Sequence, residues 1–385
     1  MARREVRIGL IGSGFIGRSH GLSVRAVNAT FPDCPIRAIS HIVADADPVR
    51  LKLAADSLGF ARATADWREA VDGSDAIVIA VPSHVHSAIA MRAIAQGKPI
   101  LCEKPVGLSS AEAQELADTA AKAGVVNAVG FTYLRAPLVR HARRLVDDGV
   151  IGRPVHFYGR HFEDYLASPD APFSWRLSAA TAGRCGALGD LGCHILSVAR
   201  YLCGPIASLS GMSTVVHAKR PTGDPAQPMR DVENEDYASA LLRFESGVPG
   251  VVETSRVALG RKMDLTFELT GDRGTLRFEA ERMNELGLYL DDRGGNGFRR
   301  ILIAPGHPDY SGFLPAPGHG LGFNDLKTIE LKAFLEAIAS GKNAQPDLAE
   351  AARIARVCEA ILDSSTAGQW VQTPEAVHAQ SGGPQ

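Results

Sequence analysis

Apolar positions in the first third of the chain fall in short, nearly continuous runs. Between these runs lie stretches in which apolar residues recur every three to four positions. The runs at 6–11, 36–44, 76–81, 99–102 and 125–130 read as strands, and the periodic stretches at 15–30, 48–58, 83–96 and 110–123 as helices. Gly59, Gly97 and Gly124 stand where left-handed C-cap residues belong, and Ser83 and Ser109 or Ser110 stand where N-caps belong. Strands without polar alternation must be covered on both faces. The expected architecture is therefore a doubly wound parallel sheet that binds ligands beyond the carboxyl ends of its strands.

Beyond about residue 150 the texture changes. Strand-like runs at 154–163, 206–217, 236–245, 248–258, 263–270, 274–280, 285–290 and 299–303 follow one another, with hairpin signals at Ser246-Gly247 and Gly271-Asp272-Arg273-Gly274. This half is expected to be α+β: a large, mostly antiparallel open sheet covered on one face by helices, with closing helices at 324–340 and 347–365. Residues 1–132 then form one domain and 133–385 another.

Length and composition agree with two globular domains, since 385 residues carry 45% apolar and 22% charged side chains. The net charge is −2 without blocks of like charge, which argues against nucleic-acid or membrane-surface binding through bulk electrostatics. No apolar run approaches the ~20 residues of a membrane span, and the first residues lack the apolar region of a secretory signal. Six cysteines without a CxxC pair read as reduced thiols of a cytoplasmic protein.

The first strand runs into Gly12-Ser13-Gly14-Phe15-Ile16-Gly17 and then a helix. Strand–turn–helix is the setting in which GxGxxG signals dinucleotide binding: Gly12 permits the turn, Gly14 lets backbone approach a pyrophosphate, and Gly17 allows close packing. A Rossmann domain is thus expected. The second strand ends at Asp45, whose carboxylate suits the ribose hydroxyls of NAD and repels the extra phosphate of NADP. Asp45 lies 28 residues after Gly17, against a usual spacing of about 20. Asp47 is the rival position, with helix capping as its alternative role, and Arg50 is the residue that could reverse the preference for NAD.

Glu103-Lys104-Pro105 at the end of the fourth strand, Pro82-Ser83-His84-Val85-His86 at the end of the third and Gly189-Asp190-Leu191-Gly192-Cys193-His194 further on complete the pattern. With the glycine loop, Trp175-Arg176 and Gly186-Ala187-Leu188, they resemble the glucose–fructose oxidoreductase / inositol dehydrogenase / MocA family over nearly the whole chain. Four further stretches are similar to the branch that contains scyllo-inositol, L-glucose and levoglucosan dehydrogenases. They are Val232-Glu233-Asn234-Glu235-Asp236, Glu281-Arg282-Met283-Asn284-Glu285-Leu286, Gly297-Phe298-Arg299-Arg300-Ile301-Leu302 and Gly318-His319-Gly320-Leu321-Gly322-Phe323-Asn324. Ser197 departs from the acidic residue that many relatives carry three positions beyond the catalytic histidine.

The resemblance implies an NAD-dependent dehydrogenase that oxidises a ring hydroxyl of a cyclic polyol or sugar. In it His194 takes the proton, Lys104 polarises the oxygen, and Asp190 orients the imidazole or binds a neighbouring hydroxyl. Spacing alone favours Asp190 as a helix cap and His194 as a packed core residue, and it is the resemblance that turns the reading to function. The implied cofactor set is Gly12, Gly14, Phe15, Ile16, Gly17, Asp45, Ala80, Pro82, His86, Glu103, Lys104 and Arg176. The implied substrate set is Lys104, Tyr133, Arg176, Asp190, His194 and His319. Glu103 contacts the cofactor or supports its turn, and Lys104-Pro105 is a candidate cis bond. No metal is expected, because His84 and His86 at i and i+2 do not share a helix face and lack further ligands. The mixed character of the open sheet face, with Tyr237, Ser239, Leu241 and Arg243 alternating, and the habit of the family both imply a homodimer or homotetramer. An NAD-assisted glycoside hydrolase and a non-catalytic NAD- and sugar-sensing regulator are the alternatives on the same fold.

Overall fold

Val6, Ile8, Leu10 and Ile11 are almost wholly buried along β1 (Arg4–Ile11), and that strand is the middle of the first sheet. The computed structural model describes residues 3–291 and 295–373. Around β1 the chain alternates α1 (Phe15–Thr30), β2 (Ile36–Ala44), α2 (Pro48–Leu58), β3 (Arg62–Thr64), α3 (Trp67–Gly73) and β4 (Ala76–Ile79). It continues through α4 (His86–Ala95), β5 (Ile100–Cys102), α5 (Ser110–Ala123) and β6 (Asn127–Val129). All pairs are parallel in the order β3-β2-β1-β4-β5-β6. The order reverses between β1 and β4, the switch point beyond which such sheets bind ligands.

Gly59 and Gly124 are left-handed C-caps, and the Ser109 hydroxyl accepts from Glu112 N. Ser83 does not cap α4; a 3-10 turn, Ser83–Val85, intervenes and the helix starts at His86. β3 and α3 have no counterpart among the sequence-based elements. β3 is three residues long and lacks buried side chains, so it leaves no apolar run to detect.

After α6 (Pro137–Asp147), also unforeseen, comes β7 (Pro154–Phe162), the short α7 (Ala179–Ala182), α8 (Cys193–Cys203) and β8 (Ile206–Thr214). A small β9 (Lys219–Pro221)–β10 (Met229–Asp231) hairpin precedes β11 (Tyr237–Phe244), β12 (Pro249–Ser255), β13 (Asp264–Gly271), β14 (Gly274–Glu279), β15 (Glu285–Leu290) and β16 (Arg299–Leu302). Then follow α9 (Phe323–Ser340), α10 (Leu348–Ala367) and β17 (Val371–Gln372). The second sheet has nine strands in the order β16-β15-β14-β13-β7-β12-β11-β8-β17. Among the described residues β7–β12 is the one parallel pair of this sheet, and the other neighbours are antiparallel. Residues such as Leu209, Leu242, Val252, Phe267 and Phe278 are buried on the covered face. Met212 and Leu241 on the open face are 57% and 52% exposed. No helix among the described residues is long and apolar enough to cross a membrane.

The chain forms two compact units, and their division is not the single cut at 132/133. The first unit runs to Arg135 and also takes Leu321–Ala352; the second is Ala136–Gly320 with the chain from Arg353 on. A buried charge explains the return of α9. Glu103 Oε1 accepts from His20 Nε2 of α1 at 2.8 Å and from the Lys327 ammonium of α9. Lys327 also donates to Glu330 Oε1 at 2.8 Å, and Thr132 Oγ1 donates to Glu330 Oε2 at 3.3 Å. All five side chains are buried. Burial alone would raise the Glu103 carboxyl, but the Lys327 charge and His20 override it and hold it far below the usual carboxylate range. Burial likewise lowers Lys327, but Glu103 and Glu330 leave it raised.

Lys327→Met removes the cation and leaves two carboxylates buried. A loss of about 3–5 kcal/mol is expected in denaturant unfolding at pH 7, while Lys52→Ala on the surface stays within about 0.5 kcal/mol. The Glu103 shift is a depression, so its stabilisation is complete above the ordinary value of 4.5 and fades as pH falls through the folded value. The gap between wild type and variant should therefore narrow below about pH 4.

Candidate functional site

In the first unit the glycine loop leaves β1 at Ile11 and enters α1 at Phe15. Gly12 has φ +91°, and a Cβ there would lie 2.3 Å from the Ala80 carbonyl oxygen; a Cβ on Gly17 would lie 2.0 Å from that of Gly12. Those two glycines are demanded by the protein itself. Gly14 is different: its φ is −64°, and a Cβ would meet no atom within 4 Å. No side chain caps α1, so the amides of its first turn remain for an anion. A loop that is tight at two glycines and open at the third fits a pyrophosphate.

Asp45 closes the loop from the end of β2. Its Oδ2 accepts from Ser13 N and Ser13 Oγ, both at 2.8 Å, and its Oδ1 from Asp47 N at 2.9 Å. Burial would raise this carboxyl, but the bonds from Asp47, Ser13 and Arg50 leave it lowered, so it is ionised at neutral pH. Asp47 has the capping role: its carboxylate accepts from Val49 N at 2.8 Å and Arg50 N at 3.1 Å. The Arg50 guanidinium lies 3.3 Å from Asp45 and 3.2 Å from Asp47.

Lys104 follows Glu103 at the end of β5, half-buried, and its bond to Pro105 is cis. His86 is buried, with Nε2 2.7 Å from the Val81 carbonyl oxygen and Nδ1 2.8 Å from that of Pro105. The ring thereby ties the end of β4 to the turn after Lys104, and burial lowers its pKa. Glu103 lies in the buried cluster described above, which supports that turn from beneath. Phe15 is 78% exposed and stacks on Phe323 at 6.0 Å; the buried Tyr133 tilts against the same ring at 6.4 Å. Ile16, Ala80 and Pro82 are partly buried around the loop.

In the second unit Asp190 lies in a π-helical turn, Leu188–Gly192, that continues into α8 with His194. The π turn changes the phase of the helix that follows, a device frequent at functional sites. The Asp190 carboxylate accepts from the Tyr165 hydroxyl at 2.8 Å and Arg176 Nε at 3.2 Å. The Arg176 guanidinium rests over the Trp175 ring at 4.5 Å. Desolvation of its hydroxyl and the Asp190 charge raise the Tyr165 phenol well above its ordinary value. His194 is buried, its ring 5.7 Å from that of His161, whose Nδ1 lies 3.0 Å from the Leu191 carbonyl oxygen. Ser197 Oγ donates to the His194 carbonyl at 2.7 Å, so the residue standing in for an acidic side chain bonds back to its own helix. His319 is exposed in the loop before α9, and its carbonyl accepts from Tyr310 at 2.8 Å.

Sequence reasoning missed Tyr165, His20 and Lys327. Nothing local marks them, because each acquires its role from a partner 25 or more residues away. Among the described residues, His20, Glu103 and Glu330 bring ligand atoms within 4.8 Å of one another, a spacing suited to a cation. The Lys327 ammonium sits on both carboxylates and serves as that cation.

Comparison with known proteins follows this division. A family model described as "Oxidoreductase family, NAD-binding Rossmann fold" matches residues 6–131, and one described as "GFO/IDH/MocA C-terminal domain" matches 139–277. A levoglucosan dehydrogenase of Pseudarthrobacter phenanthrenivorans is 34% identical, covering 97% of this chain and 99% of that one. A scyllo-inositol 2-dehydrogenase (NAD(+)) of Bacillus subtilis is 27% identical over 88% and 87%. A solved levoglucosan dehydrogenase in complex with NADH and L-sorbose superposes with a TM-score of 0.93 at 35% identity, covering 96% of this chain and 99% of that one.

Gly14→Val tests the loop directly. No atom of the surrounding chain lies within 4 Å of the position a Cβ would take, so the melting temperature should stay within about 2 °C of wild type. NADH affinity, followed by fluorescence titration, should fall by about tenfold or more, because the added atoms occupy the space a pyrophosphate needs.

Proposed function

The chain belongs to the GFO/IDH/MocA oxidoreductase family, and from that premise we propose that it is an NAD-dependent dehydrogenase oxidising one secondary ring hydroxyl of a cyclic sugar or polyol to the ketone. The observation that carries the reading is likeness over nearly the full chain to a levoglucosan dehydrogenase solved with NADH. The open position at Gly14 supports it independently. The levoglucosan and scyllo-inositol names of its relatives keep the substrate class to cyclic polyols and sugars.

NAD, when bound, supplies the hydride acceptor. The residues of the chain supply placement and proton transfer. Gly12, Gly14 and Gly17 shape the loop for the pyrophosphate, and the ionised Asp45 favours ribose hydroxyls over a 2′-phosphate. Lys104 donates to the reacting oxygen and stabilises the negative charge that develops on it. His194 accepts the hydroxyl proton, with an imidazole suited to that task near neutral pH. Asp190, bonded to Tyr165 and Arg176, orients the imidazole or a neighbouring hydroxyl, with Tyr133, Arg176 and His319 as further sugar contacts. A cytoplasmic homo-oligomer joined through the open sheet face completes the proposal, on the strength of its exposed Met212 and Leu241.

The test is NADH appearance at mildly alkaline pH with levoglucosan, myo- and scyllo-inositol, D- and L-glucose and a glucoside, with NADP run in parallel. Steady NADH with one cyclic substrate is expected. Aglycone release without net NADH favours the glycosidase reading, and tight NADH binding with no turnover favours the regulator. Lys104→Ala and His194→Ala should each lower kcat by about 10²–10⁴-fold while NADH still binds. Full activity in either variant removes that residue from its role.

A further inference from the structure

The stretch Val232-Glu233-Asn234-Glu235-Asp236 precedes β11, and no step of the reaction above uses it. The side chains of Glu233, Asn234 and Glu235 reach residues 176–188, just ahead of Asp190, while Asp236 reaches Arg256. Glu233 accepts from Ala179 N at 2.6 Å and Ser178 Oγ at 3.1 Å. Asn234 Nδ2 donates to the Arg176 carbonyl at 3.0 Å, and its Oδ1 accepts from Arg256 Nη2 at 2.9 Å. Asp236 pairs with Arg256 Nε at 2.8 Å, with both side chains fully buried.

Glu235 makes the most specific set. Its Oε2 accepts from Gly186 N and its Oε1 from Leu188 N, each at 2.8 Å, and its backbone carbonyl accepts from Ala187 N at 2.9 Å. Three successive amides at the start of the π turn thus end on one residue. Amides there have no acceptor within the helix, and a buried one without a partner is costly. Gly186 allows the approach: a Cβ on it would lie 2.3 Å from the Glu235 carbonyl oxygen. The Ala187 carbonyl is held in turn by Thr254 Oγ1 at 3.2 Å.

We infer that Glu235 is a positioning residue for the dehydrogenase reaction, a buried carboxylate clamp that fixes the π turn and so the directions of Asp190 and His194. A two-oxygen acceptor is needed, because two N–H groups point at it from residues 186 and 188. Glutamine offers one oxygen and turns an NH2 group toward the other amide. This inference rests on the functional reading above.

The test uses the full chain as Glu235→Gln and, as a milder probe, Thr254→Val. Measured are NADH affinity, KM for NAD, kcat per NADH-binding site, and amide hydrogen exchange of the peptide spanning 184–194. The glycine loop shares no residue with the clamp, so NADH affinity and KM for NAD should match wild type. For Glu235→Gln, kcat per binding site should fall on the order of 10–100-fold, the penalty of a misdirected reacting group. Thr254→Val should fall about two- to fivefold, and exchange should quicken at 186–188 in Glu235→Gln. A purely structural role would lower the melting temperature and the folded fraction but leave kcat per binding site at the wild-type value, and that result overturns the inference. Unchanged exchange at 186–188 overturns the clamp itself. A wild-type chain that turns over nothing overturns the functional reading instead, and the exchange result still decides the clamp.

Discussion

Glu103 is an ionised carboxylate at the end of a strand where water does not reach, and the first unit depends on how that charge is met. A lone buried carboxylate is costly enough to take up a proton or unfold its surroundings. Here His20 reaches it from α1 and Lys327 from α9, with Glu330 sharing the ammonium. The charge and its partners come from three distant parts of the chain. One charge therefore fastens α1, the turn that presents Lys104, and a helix some two hundred residues further on.

The second unit solves a similar problem with the signs exchanged. The start of a helix presents bare N–H donors, and Glu235 meets them with a buried carboxylate. Burial raises that carboxyl, while the bonds from Gly186 and Leu188 oppose the rise. In both units a buried acidic side chain stands directly behind a segment that bears a candidate catalytic residue, Lys104 in one and Asp190 in the other. Polar groups so enclosed have few alternative partners, so they define one backbone path more sharply than apolar packing would. Reaction chemistry needs that definition, because a misplacement of about 1 Å is already expensive in rate.

The glycine loop divides its tasks in the same manner. Gly12 and Gly17 answer to the protein's own packing, whereas Gly14 faces open space. Asp45 braces the loop through Ser13 and keeps a negative charge beside it. Arg50 beside it tempers that charge without removing it, since the carboxyl remains lowered.

Much of this was legible in order along the chain. Apolar runs and their period gave the longer strands and most helices, glycine caps gave several ends, and GxGxxG gave the tight turn between β1 and α1. Those features are local: residues within one turn or one strand decide them. Three-residue β3 and the π turn at Leu188–Gly192 escaped because their local pattern is too short or too ambiguous. The return of α9 to the first unit, the clamp at Glu235 and the hydroxyl of Tyr165 on Asp190 escaped for a deeper reason. The sequence by itself determined which elements form and which residue types stand at their ends. Only the tertiary structure decided which buried charge meets which partner, because that depends on side chains brought together across 25 to 224 residues of chain, and no local period records it.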